Sequence, residues 1–172
     1  MALPKLEANR FKCILPVTGN EIEYRAFLVK EQKILLTALE SENISEVNRS
    51  IIALIESCIF TDNVIVNKLP IPDIEYLFLQ LRIKSVGETS TVNIPCSHCE
   101  HENEVVIDLQ EIKLSGEIPS NDISIRDNIM MRFKQPSLID VPDSMNTQQL
   151  DSDSVFEVVR NCVEMITYND EV

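Results

Sequence analysis

Three neighbouring stretches decide the fold: Pro72-Asp73-Ile74-Glu75-Tyr76-Leu77-Phe78-Leu79-Gln80-Leu81-Arg82-Ile83-Lys84-Ser85-Val86-Gly87, then Val92-Asn93-Ile94-Pro95-Cys96-Ser97-His98-Cys99-Glu100-His101, then Val105-Val106-Ile107. In the first, Ile74, Leu77, Phe78 and Leu81 recur at helical spacing. Proline suits the opening turn, Asp73 can cap it, and Gly87 stands where a helix stops. After Gly87 the period falls to two. Val92 and Ile94 before the cysteines, and Val105 and Ile107 after them, predict a hairpin whose tip is residues 95–101.

Upstream, Phe11, Cys13 and Leu15 alternate with Lys12 and Ile14, and Ile22 and Tyr24 alternate with Glu21, Glu23 and Arg25. Thr18-Gly19-Asn20 between them supplies turn residues, so an N-terminal β-hairpin is expected. Residues 30–42, with Ile34, Leu35, Ala38 and Leu39 on one stripe, and 43–60, with Val47, Ile51, Leu54, Ile55 and Cys58, predict two amphipathic helices. Downstream, a second hairpin is expected from Ile123-Ser124-Ile125 through Asp127-Asn128 to Ile129, Met131 and Phe133. Residues 140–153, polar and with Pro142, predict a linker. Ser154 and Glu157 then form a capping-box pattern for a helix continuing through Phe156, Val159, Val163 and Ile166. The class is α+β: an N-terminal β-hairpin, a helical layer, a β-hairpin with a Cys-x-x-Cys tip, and a C-terminal helix. Residues 1–139 form the main domain, with the cysteine hairpin at about 91–109, and 140–172 hold the linker and C-terminal helix.

The 172 residues hold 28 Asp and Glu against 15 Lys and Arg, a net charge of −13. That surplus repels phosphate backbones, so nucleic acid is not the expected partner. No apolar run is long enough to span a bilayer, and the start, Met1-Ala2-Leu3-Pro4-Lys5-Leu6, lacks a leader's apolar region; no membrane partner and no export are expected. Five cysteines, an odd number, predict reduced thiols rather than a disulfide framework.

Cys96 and Cys99 are the sharpest chemical feature. Two cysteines two residues apart on a hairpin tip can present both thiolates to one zinc ion, with His101, or His98, as a weaker third ligand. One such pair is half a structural site, since no second Cys-x-x-Cys is present and four ligands are needed. Zinc binding, plain reduced thiols and redox use are the three readings; the last needs a helix N-terminus to stabilise a thiolate, and the flanks here read as strands. Cys13, Cys58 and Cys162 sit on apolar stripes and are expected in the core. Asp73 and Glu75 at one end of their helix, and Arg82 and Lys84 at the other, complement its dipole. Met130 and Met131 read as strand packing. With three glycines and two histidines, no phosphate loop, nucleophile elbow or His-Glu-x-x-His motif can be assembled, so no catalytic residue is expected.

The segment 69–88, with its Asp-Ile-Glu-Tyr-Leu-Phe-Leu core (73–79) and Lys84-Ser85-Val86-Gly87-Glu88, followed by Cys96-x-x-Cys99 and Val105-Val106-Ile107-Asp108-Leu109, resembles the baseplate hub protein family of T4-like tailed bacteriophages. The opening residues 1–6, Leu15-Pro16-Val17-Thr18-Gly19 and residues 24–31 extend the likeness over most of the chain. The resemblance implies a late phage protein that works in baseplate hub assembly as a structural or chaperone component, by stoichiometric binding to other hub and tail proteins. It implies no catalytic step, a place in the host bacterial cytoplasm during assembly or in the virion baseplate, and cyclic self-association as one arrangement around a hub axis. Longer members carry a second Cys-x-x-Cys towards the C-terminus. By that likeness, residues 140–172 are expected to be a shortened C-terminal part. The rivals are a zinc-ribbon adaptor for nucleic acid or protein and a thiol oxidoreductase using the Cys-x-x-Cys pair. On the helix of 74–86, Tyr76, Arg82 and Lys84 lie off the apolar stripe and are candidate protein-contact residues.

Overall fold

Alternating residues near the N-terminus give β1 (Arg10–Ile14) and β2 (Glu21–Arg25), paired antiparallel with Phe11 opposite Tyr24 and Cys13 opposite Ile22. The computed structural model describes residues 9–41, 43–99, 101–113, 120–126, 128–141 and 152–168. Expectations on residues 1–6, Glu42, Glu100, Asp127, most of the 140–153 linker and the tail 169–172 lie outside the described residues. Gly19, at φ 70°, supplies the left-handed turn residue between the two strands. On the outer face Lys12 pairs with Glu21 and Arg10 with Glu23, both well exposed.

The helical layer follows as α1 (Val29–Glu40), α2 (Ile44–Cys58) and α3 (Ile71–Ser85). Asn43 caps α2, its side chain accepting from the backbone of Ser45 and Glu46. Apolar stripes of α2 and α3 close over the hairpin. Leu15, Ile22, Tyr24, Ile55, Cys58, Val66, Leu77 and Leu81 form the centre of the core and are almost wholly removed from solvent. Each large side chain so buried stabilises the fold by about 2 kcal/mol.

Asp73 lies in the first turn of its helix, where it complements the dipole as expected, but it does not cap that helix. α3 begins earlier, at Ile71, with Pro70 as its cap residue. The Asp73 carboxylate, fully buried, instead accepts from the Val17 and Thr18 backbone N–H groups at 2.8 and 3.0 Å and from the Thr18 hydroxyl at 2.8 Å. The first turn of α3 thus holds the β1–β2 turn, a link across some 55 residues that local sequence cannot announce.

After α3, Gly87 takes a positive φ of 141° and the chain enters β3 (Thr89–Pro95) and β4 (Glu102–Asp108), paired in register from Thr89 with Asp108 to Pro95 with Glu102. Then β5 (Asp122–Arg126) and β6 (Ile129–Phe133) form the second hairpin. The C-terminal segment departs from expectation. α4 runs Ser152–Cys162, so Ser154 lies inside it, and Val163 and Ile166 belong to a strand, β7 (Val163–Tyr168). That strand pairs antiparallel with β6, making a three-stranded sheet in the order β5-β6-β7. The reason is that Val163, Ile166, Thr167 and Tyr168 are β-branched or aromatic, and the open edge of β6 supplies backbone partners that a further helical turn would forgo. The segment after β6 is tied to α3 by the Ile71 N–H donating to the Pro136 carbonyl at 3.0 Å and by a bridge between Pro70 and Ser137, and is braced within itself by Asp140, which accepts from Ser137 and Lys134.

Candidate functional site

The cysteine tip is built by the β3–β4 hairpin. Its last strand pair is Pro95 with Glu102, beyond which the Cys96 N–H donates to the His101 carbonyl at 2.9 Å and the Asn103 side chain donates to the same carbonyl at 3.1 Å. Inside this closed loop the backbone N–H groups of His98 and Cys99, and the Cys99 thiol, are directed at the Cys96 sulfur. Those hydrogen bonds, His98's first, hold the Cys96 thiol below its ordinary value of 9.0. Cys96 is half-buried and Cys99 exposed, and the side chains of His98 and His101 stand in solvent. No set of three or more His, Cys, Asp or Glu that could hold a metal ion occurs among the described residues. The tip therefore brings Cys96 and Cys99 together and leaves His101 out of the group. Among the described residues of the tip no helix starts, so none of them gives the helix N-terminus that a thioredoxin-like thiolate uses.

The other thiols behave in the opposite way. Burial pushes Cys13 up to about 11, with the Asp73 charge adding to it, and burial likewise raises Cys58 and Cys162. They are packing residues.

The three candidate contact residues of α3 are held by their own fold. Tyr76 packs partly buried against the core and lines a shallow cleft with Pro72, Glu75, Leu79, Ile112 and Lys113. Arg82 donates to the Gly87 carbonyl at 2.8 Å, closing the helix end, and the exposed Lys84 ammonium sits 5.6 Å from the Phe11 ring centre. They do not converge on one point.

Sequence reasoning missed a buried polar junction between β2, α1 and α2. Arg25 grips Glu31 with two hydrogen bonds, at 2.8 and 3.0 Å, and donates to the Ser57 carbonyl at 2.8 Å; the Ser57 hydroxyl donates to Glu31 at 3.2 Å. The Arg25 hydrogen bonds, aided by the Leu28 N–H, hold the Glu31 carboxyl down at about 2 against the cost of burial. The one sequence signal was Glu31 three residues into a helix start, where it reaches back to the Leu28 N–H at 2.6 Å. Nearby, an open groove of about 720 Å³ between α1 and α2 is lined by Lys30, Lys33, Ile34, Thr37 and Arg49 among others, and its lining holds no histidine or cysteine.

Exposed apolar residues also lie on the β5-β6-β7 sheet and on α4. Register places Ile123, Met131 and Ile166 in one cross-strand row and Ile129 beside Tyr168 in the next. Ile123, Ile125, Ile166 and Tyr168 are each half exposed or more, and on α4 Phe156 is 72% exposed, with Val155 and Val159 beside it. Of this surface, sequence reasoning assigned only Met130 and Met131, to strand packing, because a strand's apolar face does not reveal whether anything covers it. No helix of the described residues is long and apolar enough to cross a membrane.

A family model described as T4 bacteriophage base plate protein matches residues 8–172. No curated protein and no solved structure matches the chain.

Proposed function

The chain belongs to the T4 bacteriophage base plate protein family, and from that premise we propose that it is a hub component that acts in tail assembly by stoichiometric binding to other hub and tail proteins, with no catalytic step. The observation that carries this reading is the partly exposed apolar face of the β5-β6-β7 sheet, with the cross-strand rows Ile123-Met131-Ile166 and Ile129-Tyr168. Contiguous exposed apolar surface is the mark of a protein-contact site, and isoleucine, methionine and tyrosine on a sheet give it shape. Its partner is another tail protein with a matching apolar patch, met in the host cytoplasm while the baseplate forms. The α3 surface around Tyr76, Arg82 and Lys84 is a second, lesser contact, since its residues already have partners within the chain. The acidic balance of −13 favours association with basic surfaces and opposes adhesion to DNA.

Tagged chain recovered from infected cells should bring other tail proteins with it. The double variant Ile123→Asp, Ile166→Asp, verified as folded by far-ultraviolet circular dichroism, should lose them by at least tenfold. Recovery of the wild-type chain alone would overturn the proposal.

A further inference from the structure

The cysteine tip has a geometry that packing does not explain. Both thiols stand at the end of the β3–β4 hairpin, in a loop closed by the Cys96 N–H to the His101 carbonyl at 2.9 Å, and the arm beneath exposes Ile94 at 48% and Val106 at 64%. An isolated two-stranded hairpin is marginal in water, so an arm of this length with uncovered apolar residues calls for a stabilising partner. Two cysteines two residues apart on such a tip can present both sulfurs to one metal ion, which supplies half of a four-ligand site.

We propose that Cys96 and Cys99 bind zinc and that a second copy of this chain completes the site, two hairpin tips meeting on a twofold axis to give one tetrahedral four-thiolate ion. Ligand number decides the occupant. A structural zinc takes four ligands, each tip offers two, the described residues supply no third, and the other three thiols are held protonated in the core. Twofold pairing is the commonest closed symmetry and doubles two thiolates to four. Zinc supplies the attraction: Glu102 and Glu104 on β4 would otherwise repel their copies across the axis. The cation displaces the thiol protons, four per ion less those already lost, and forms four Zn–S bonds with no change of oxidation state. This site does not depend on the hub reading above, and either can fail alone.

The test uses the full chain, reduced and stripped with a chelator, then titrated with Zn²⁺ and, in parallel, with Co²⁺. Light scattering should show a monomer becoming a dimer at one metal per two chains, reversed by chelator. Cobalt should give the strong visible absorption of a tetrahedral four-sulfur site. Cys96→Ser and Cys99→Ser should each abolish the metal-dependent dimer and the cobalt spectrum while helix content stays unchanged. Zinc bound one per chain in a monomer, no binding by reduced chain at micromolar metal, or a dimer that survives in both variants would each overturn the proposal.

Discussion

At the scale of single residues, two buried carboxylates join elements far apart in sequence. Asp73 satisfies two backbone N–H groups and a hydroxyl of the β1–β2 turn. Removing it leaves those donors unpaired, so Asp73→Ala should cost about 3–5 kcal/mol, read as a lowered denaturation midpoint at unchanged slope. Asp73→Asn should also destabilise, since its amide turns donors towards donors. Glu31 gives a pH signature. Its folded value of about 2 lies below the ordinary 4.5. Its contribution, on the order of 3 kcal/mol, is fully present above pH 4.5 and drains away as pH falls from there towards 2. Glu31→Gln should therefore lower stability at pH 7 and flatten the acid limb; a wild-type acid limb unchanged by the substitution would refute the role given to the Arg25 contact. The Asp73 role was not legible in the sequence, because its partners lie some 55 residues away; of the Glu31 role only the reach back to Leu28 was, and the grip of Arg25 was not. The cysteine pair was legible, because its geometry is set within six residues of turn.

At the scale of elements, strong periods survived and a weak one was overridden. The stripes on α2 and α3 and the alternation in the three hairpins are each unambiguous, and the chain uses them as read. The C-terminus was ambiguous. Val159, Val163 and Ile166 fit a helical stripe, yet 163–168 also alternates, and the open edge of β6 decided the matter. Elements also differ in stability. In metal-free protein, amides in the middle of α3 should exchange only by global unfolding, whereas those of the β3–β4 arm should exchange orders of magnitude faster, because the arm buries little apolar surface. Hydrogen exchange followed by mass spectrometry checks this. Equal protection of α3 and the arm would show that the arm is covered in the isolated chain.

At the scale of the whole molecule, the packed centre, Leu15, Ile22, Tyr24, Ile55, Leu77 and Leu81, lies under the helical layer, while the cysteine arm and the three-stranded sheet present apolar residues outward. A core large enough to fold the chain, with apolar surface left over, fits a protein that works by being held among neighbours. Family membership was legible from the 69–88 segment and the cysteine spacing; which apolar residues stay uncovered was not, since exposure is a property of the fold. The most direct measurement of the central claim is quantitative mass spectrometry of baseplate assemblies isolated from infected cells, with the copy number of this chain measured against another baseplate protein. Stoichiometric binding predicts a fixed small-integer ratio, the same in every preparation, that collapses for the Ile123→Asp, Ile166→Asp variant. A trace amount that varies between preparations, or a ratio untouched by that variant, would contradict the account.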